Sequence, residues 1–154
     1  QKDLSLFYYR ISEDDRSVEK TDKEEILNLK AFKIPKDKLS KNGLFLTSKG
    51  EVVKDVKLES LLGDDYIEDY RYLFLISGDY INNKEADTRG KLNIPTLDEF
   101  KKFSGDSSSF FTDEEILLDD IQDKANEYIL LLYNEIKNKC EEKEIEVEGL
   151  NGLG

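Results

Sequence analysis

The spacing of apolar residues changes half-way along the chain. Before residue 78 they alternate with polar residues or form short runs such as Tyr72-Leu73-Phe74-Leu75-Ile76, a pattern typical of β-strands. After residue 112 they recur every three or four positions, as on one face of an α-helix. This order predicts a mixed α/β chain of the α+β sandwich class, in which a sheet is followed by a long C-terminal helix.

Five strands are predicted in the first half. In the first, Phe7, Tyr9 and Ile11 form the apolar side of an alternating segment. The second covers 25–34 and ends at Pro35. The third and fourth, 44–47 and 51–54, form a hairpin around Ser48-Lys49-Gly50, and the fifth, 71–77, is a buried strand. Residues 12–21 and 64–69 are predicted loops, and 58–62 is at most a short helix.

The second half is predicted to be mainly helical. Residues 81–91 are polar and predict an exposed loop of about ten residues, followed by a strand-like segment at 92–95. Thr96 and Glu99 match a capping box that starts a short helix ending at Phe103, and Thr112 and Glu115 match a second one. The second box predicts a long helix from residue 113 to about residue 143. One face of this helix would carry Ile121, Ala125, Tyr128, Ile129, Leu132, Ile136 and Cys140.

The chain is strongly acidic, and the negative charge is concentrated in its second half. It carries 23 basic and 35 acidic side chains, a net charge of −12, and residues 78–154 hold 9 basic against 19 acidic ones. Direct binding to nucleic acid is therefore not expected, because it needs Lys and Arg to neutralise phosphates. One exception is a lysine cluster, interpreted either as a solvated strand end or as an anion-contacting surface. Its members are Lys30, Lys33, Lys36, Lys38 and Lys41.

Several chemistries are excluded by composition. The absence of His excludes Ser-His-Asp catalysis and His-bound zinc, and the single cysteine, Cys140, excludes an internal disulfide. Asp64, Asp65, Glu68 and Asp69 lack the spacing of an EF-hand and are interpreted as a solvated turn, so no metal site is expected. No membrane span or signal peptide is present, which favours a cytoplasmic location.

The ends of the chain suggest a piece of a longer polypeptide. It begins at Gln1, contains no Met, and ends in a glycine-rich stretch after Glu148. We therefore expect a single domain over 1–148, taken from a larger protein, with a flexible tail over 149–154.

The order of parts around 71–103 resembles the second, transducer domain of the GHKL ATPases, the superfamily of the gyrase B subunit, MutL and a heat-shock chaperone. A buried strand leads into a polar loop, then a short segment and a capped helix. Asp87-Thr88-Arg89-Gly90 is similar to the signature at the end of the family's loop, and 44–53 is similar to its strand–turn–strand segment. The resemblance covers about 24–143 and implies a mostly antiparallel sheet with helices on one face and a left-handed βαβ crossover.

The resemblance implies that a basic residue of the loop reaches the γ-phosphate of ATP in a preceding domain. Arg89 is the candidate, because its permanently charged, forked side chain suits phosphate and Gly90 follows it. Lys84 and Lys91 are the alternatives. The family's nucleotide-binding signatures are absent, so ATP and Mg²⁺ are expected in an N-terminal ATP-binding domain of the parent polypeptide and not in this chain. A homodimer or a protein partner would receive the signal.

Two other interpretations stay open. In the first, the chain is an acidic protein-interaction module without an ATPase link, and it uses its acidic half to cover a basic partner or to mimic nucleic acid. In this case, carboxylates of 113–148 should line one exposed surface. In the second, a hydrolytic site is built from carboxylates, but no spaced acidic pair with supporting residues is present. Arg89 itself could also be a surface arginine paired with Glu85 or Asp87.

Overall fold

The computed structural model describes residues 1–12, 14–15, 17–61, 63–87, 92–103 and 114–152. They form a mixed α+β fold with a six-stranded, mostly antiparallel sheet, which confirms the predicted class. In chain order the elements are β1 (Lys2–Ile11), β2 (Val18–Pro35), β3 (Gly43–Ser48), β4 (Glu51–Val56), β5 (Tyr70–Ser77), α1 (Asp79–Asp87), α2 (Leu97–Phe103), β6 (Glu114–Glu115) and α3 (Leu118–Gly152).

The strands are ordered β4-β3-β5-β2-β1-β6, and the one parallel contact between described strands joins β3 to β5. The chain passes between these two strands through β4 and residues 57–69. The described part of that connection contains no helix, which differs from the βαβ unit that the resemblance implies. Glu59 and Ser60 instead donate their backbone N–H groups to Asn126 Oδ1 of α3, at 2.7 and 3.2 Å. The short helix considered at 58–62 is therefore absent from the described residues.

One face of the sheet forms the core, and α1 and α3 contribute side chains to it. Pairing places Leu4 opposite Leu27 and Leu29 opposite Ile76, so these side chains lie on the same face. The core also contains residues of the helices and of the segments next to them, namely Tyr80, Ile81, Ile94, Ile116, Ile121, Ala125 and Ile129. The predicted apolar face of α3 is confirmed as far as Ile136, while the side chain of Cys140 lies outside the described residues.

The predicted face of β1 is wrong. Leu4, Leu6 and Tyr8 are buried, whereas Phe7 and Tyr9 are only partly so. Both faces of this segment carry apolar residues, and a shift of one position exchanges them. A register shift between Phe7 and Tyr9 interrupts the ladder there, and the Tyr8 carbonyl accepts a hydrogen bond from Thr21 Oγ1 at 2.9 Å.

Other predicted boundaries also need correction. β2 begins at Val18, inside the predicted loop, because Val18 pairs with Ile11 and Ser12 N donates to Ser17 O at 2.7 Å. Residues 92–95 are not a strand in the structure. Pro95 instead offers its carbonyl to Leu118 N at 2.8 Å.

The long helix begins later than predicted. Glu114 and Glu115 pair with Arg10 and Tyr9 as β6, so α3 starts at Leu118, with Asp119 and Asp120 in its first turn. Acidic side chains at this position interact favourably with the helix dipole. The helix also continues past residue 143 to Gly152, through part of the expected tail.

Candidate functional site

Three basic residues were predicted as candidates for the γ-phosphate sensor, and the structure describes one of them. Lys84 lies on α1, whereas Arg89 and Lys91 lie outside the described residues. The predicted exposed loop at 81–91 is wrong over its first seven residues, because α1 continues to Asp87. Tyr80, Ile81 and Lys84 occupy one side of this helix and are buried.

A buried ion pair joins Lys84 to the sheet. Lys84 Nζ donates to Glu115 Oε1, and the Tyr80 hydroxyl donates to Glu115 Oε2. The side chain of Lys84 is 9% exposed and that of Glu115 is fully buried. Buried charges are tolerated when they are paired and hydrogen-bonded. We call Tyr80, Lys84 and Glu115 the buried triad.

The local fold explains how the buried triad is assembled. Gly78 lies between β5 and α1 and packs closely against Leu27, because a Cβ there would come within 2.6 Å of Leu27 Cδ2. Spacing of four residues places Tyr80 and Lys84 on the same side of α1. Pairing of β6, the edge strand of the sheet, with β1 then brings Glu115 to Tyr80 and Lys84. Ile116 N also donates to the Tyr80 hydroxyl oxygen at 3.1 Å, which fixes the tyrosine.

Tyr8 extends the polar cluster along the core face of the sheet. Its ring meets that of Tyr80 edge to face, with centroids 5.8 Å apart, and its hydroxyl donates to Glu25 Oε2 at 2.8 Å. Burial, followed by the charge of Glu115, raises the pKa of Tyr80 well above its ordinary value. The pKa of Tyr8 is raised by burial and then by Glu25. Both phenols therefore stay protonated and act as hydrogen-bond donors at neutral pH.

Tyr80 and Glu115 were not predicted from the sequence as partners of Lys84. Glu115 was assigned to the cap of the long helix, and Tyr80 lay between the predicted fifth strand and the predicted loop. The i, i+1, i+4 spacing of Tyr80, Ile81 and Lys84 was the available signal, because these positions share one side of a helix. Chemically, the buried triad clamps α1 to β6.

The segment that contains Arg89 starts and ends at fixed points. Before it, α1 is held by the buried triad. After it, Ile94 is buried. The capping box predicted for α2 is confirmed, because Glu99 N donates to Thr96 Oγ1 at 3.2 Å and Thr96 N donates to Glu99 Oε1 at 3.3 Å. Leu97 N also donates to Asp119 Oδ2 of α3 at 2.9 Å.

The lysine cluster is exposed and partly engaged with aromatic rings and acids. Lys36 Nζ lies 3.0 Å from Asp69 Oδ1 and 4.2 Å from the ring centroid of Tyr66, while Lys33 Nζ lies 4.2 Å from that of Tyr70. Arg71 donates to the carbonyls of Lys36 and Leu39 at 2.8 and 2.9 Å and so holds the β2–β3 connection in place.

A second surface feature lies on α3. Its exposed acids Asp119, Asp123 and Glu127 are spaced by four residues. The next position at this spacing is Leu131, and the one after it is the exposed acid Glu135. Four residues of helix rise about 6 Å, so these side chains form a ridge along α3. We call Asp119, Asp123, Glu127 and Glu135 the acidic row. Leu131 interrupts the row and is 60% exposed.

Neither a metal site nor a membrane-spanning helix is found in the part of the chain that the structure describes. No group of three or more Cys, Asp or Glu side chains there is arranged to hold a metal ion. Among the same residues, no helix is long and apolar enough to cross a lipid bilayer.

Comparisons with known proteins gave no match. The chain matches no protein-family model, no curated protein and no solved structure at a significant level.

Proposed function

We propose that this chain is a non-catalytic transducer domain of a multidomain GHKL-type ATPase. In this proposal Arg89 contacts the terminal phosphate of ATP, which is bound with Mg²⁺ by an N-terminal ATP-binding domain of the same polypeptide. The chain then relays the nucleotide state to an output domain or a dimer partner. A cytoplasmic location is part of the same proposal.

The anchoring of the segment that contains Arg89 is the observation that carries this proposal. A phosphate sensor must be cationic, and a rigid body must hold the segment that bears it. The buried triad fixes the helix that precedes Arg89, and buried Ile94 and the capped α2 fix the chain that follows. A force on the guanidinium group would therefore reach both α1 and α3, which is what coupling to a domain movement requires.

The pairing of Lys84 with Glu115 bears on the choice among the three basic residues. Lys84 already has a buried carboxylate partner, and moving it to a phosphate would leave Glu115 charged in the interior. Arg89 is therefore preferred over Lys84 in this proposal, and Lys91 stays as the alternative.

The test is ATP turnover of the parent polypeptide with Arg89→Ala. Loss of a preorganised charge on the terminal phosphate is expected to lower kcat by about a hundredfold, without a change in thermal stability. Arg89→Lys should recover part of the rate, and Lys102→Ala, at an exposed residue of α2, serves as the control. Unchanged turnover in Arg89→Ala with reduced turnover in Lys91→Ala would assign the role to Lys91. Unchanged turnover in both variants would reject the sensor.

An acidic protein-interaction module is the second candidate function, and the acidic row favours it. The spacing of about 6 Å along α3 is similar to that of successive phosphates. Two details limit a pure nucleic-acid mimic: Glu115 is buried, and Leu131 interrupts the row. The two candidates are separated by comparing Arg89→Ala with the double variant Glu127→Gln and Glu135→Gln in the parent polypeptide. The transducer proposal expects Arg89→Ala to lower ATP turnover, whereas the interaction module expects unchanged turnover in Arg89→Ala and weaker partner binding in the double variant.

A further inference from the structure

Among the described residues, the outer edge of β1 has no strand partner along most of its length. β2 pairs with β1 from Lys2 to Ile11, but on the other side the described residues supply only β6, which pairs with Tyr9 and Arg10. Residues 2–8 of β1 therefore present backbone donors and acceptors that no described strand covers. An open sheet edge is a template on which an extended chain can pair.

Helix α3 runs beside this open edge and makes a groove with it. Asp120 lies near Tyr9, whose pKa is raised by burial and then by this carboxylate, and Lys2 Nζ lies 5.8 Å from the ring centroid of Tyr128. The helix is thus antiparallel to β1. Two adjacent stretches of the groove have volumes of about 150 and 410 Å³, and both are lined by Ser5, Lys124 and Glu127.

The chemistry of the helix wall indicates what the groove would bind. Asp123, Glu127 and Glu135 of the acidic row line it, together with exposed Leu131 and the partly buried Tyr128 and Leu132. The wall therefore offers negative charge on both sides of an apolar contact. Lys124 is the basic residue of the same wall, and Lys2 and Lys20 line the strand side together with Asp3. Over both stretches five acidic side chains face three basic ones, so the groove has an excess of negative charge. A basic segment that also carries apolar side chains is complementary to such a surface.

We infer that the groove between β1 and α3 binds an extended, basic peptide segment of a partner protein, which adds a strand to the sheet beside residues 2–8. The length of that edge, about 23 Å, accommodates about seven extended residues. Backbone hydrogen bonds to β1 supply the affinity. Alternate side chains reach the acidic row and Leu131 and supply the specificity. This inference does not depend on the proposed ATPase link.

A second copy of the chain is the other conceivable occupant. Edge-to-edge pairing of two β1 strands would bring two acidic rows together across the interface. Each chain has a net charge of −12, so this arrangement is opposed by repulsion between like charges. The charge of the groove therefore favours a basic peptide over self-association.

The experiment measures binding of a fluorescein-labelled octapeptide of alternating Lys and Val to the full chain, by fluorescence anisotropy in 0.15 M NaCl. A second peptide has the same side chains but a methyl group on every backbone nitrogen, which removes its N–H donors. We expect the first peptide to bind at least about tenfold more tightly than the second, because strand addition needs those donors. Hydrogen exchange should also slow at the amides of residues 2–8 when the first peptide is bound.

Two lysine substitutions on α3 provide a matched pair of variants. Leu131→Lys places a positive charge inside the groove and should weaken peptide binding about tenfold. Leu130→Lys makes the same change in charge at a neighbouring residue that is 46% exposed and does not line either stretch of the groove, so binding should hardly change. Both residues are exposed, so both variants are expected to fold normally.

Three outcomes would overturn the inference. If both lysine variants weaken octapeptide binding equally, and the methylated peptide binds as tightly as the unmethylated one, the peptide is attracted by charge alone. A concentration-dependent dimer of the unmodified chain that Leu131→Lys abolishes would assign the groove to a second copy. Absence of octapeptide binding at millimolar concentration would reject a basic extended occupant.

Discussion

At the scale of single residues, the buried triad is the feature on which the position of α1 depends. Transfer of Lys84 and Glu115 out of water is costly, and the ion pair together with the hydrogen bond from Tyr80 offsets that cost. Removal of one partner leaves the other charge in the interior. Removal of both partners takes away the cost together with the attraction.

We predict that Lys84→Met lowers the free energy of unfolding by about 3–5 kcal/mol. In the double variant Lys84→Met with Glu115→Leu, most of this loss should be recovered, because no unpaired charge stays buried. Urea denaturation of the single and double variants measures the coupling between the two residues.

The exposed pair of Arg10 and Glu19 is the control for this cycle. Their atoms approach to 2.9 Å, but the side chains are 59% and 41% exposed. Arg10→Ala should therefore cost less than about 1 kcal/mol. A loss in Lys84→Met as small as that in Arg10→Ala would contradict the assignment of a clamp to the buried triad.

Tyr80 also makes the fold sensitive to alkaline pH. Its pKa in the folded chain is raised, by burial first and by Glu115 second, and the groups that face it are Glu115, Lys84 and Tyr8. Above the ordinary tyrosine pKa of about 10, the unfolded chain releases the phenolic proton while the folded chain retains it. The folded state then binds more protons, so its stability falls as pH rises.

We predict that Tyr80→Phe reduces this alkaline loss of stability, by up to about 1.4 kcal/mol for each pH unit above 10. Urea denaturation at pH 9, 10 and 11 is the measurement. Tyr66→Phe is the matched control, because the Tyr66 side chain is largely solvent-exposed, at 53%. An equal effect of the two substitutions would show that the loss does not arise at Tyr80.

At the scale of secondary-structure elements, the β3–β4 hairpin shows what local chemistry decides. Ser48 pairs with Glu51, so Lys49 and Gly50 alone form the turn, with φ of 52° and 83°. Positive φ at both central positions is the geometry of a type I′ turn, for which Asn-Gly is the preferred sequence. Gly50 suits its position, whereas Lys49 holds a left-handed conformation that a long side chain seldom adopts.

We predict that Lys49→Asn stabilises the chain by about 0.5–1 kcal/mol, because Asn adopts the left-handed conformation at lower cost. The shift of the thermal midpoint measures the gain. Lys54→Asn, in β4, is the control for the loss of one lysine charge. It should give no gain, because Asn is disfavoured within strands. Equal gains from the two substitutions would point to charge and not to turn geometry.

The same contrast explains which elements could be predicted from the sequence. The hairpin, the end of β2 at Pro35 and the Thr96 capping box depend on neighbours within a few residues, and all three were predicted correctly. Helix α1 was missed because Asn82, Asn83 and Lys84 look like loop residues until Glu115 pairs with Lys84. The start of α3 was missed because Glu115 pairs with β1, a contact across most of the chain. The groove beside β1 could not be predicted either, since it depends on β6 ending at Glu115 and leaving residues 2–8 of β1 without a described neighbouring strand.

At the scale of the whole molecule, the uneven charge sets the response to salt. The acidic row places like charges at i, i+4 spacing on α3, where they destabilise the helix. The row lies in the second half of the chain, residues 78–154, which holds 9 basic against 19 acidic side chains. Exposed ion pairs such as Lys36 with Asp69 contribute little in the other direction. Repulsion among acidic side chains should therefore dominate the electrostatic part of the stability.

We predict that NaCl stabilises the chain, by about 1 kcal/mol between 0.01 and 0.3 M, because the screening length falls from about 30 Å to about 6 Å. Urea denaturation at the two concentrations measures the effect. Two neighbouring exposed residues of α3 give variants of opposite sign: Asp123→Asn removes part of the repulsion and should reduce the salt effect, whereas Lys124→Gln should increase it. If added NaCl instead lowers the free energy of unfolding, favourable ion pairs outweigh the repulsion among acidic side chains. The acidic row is then neutralised by basic groups of the chain itself. That outcome would also remove the reason to expect a basic partner in the groove.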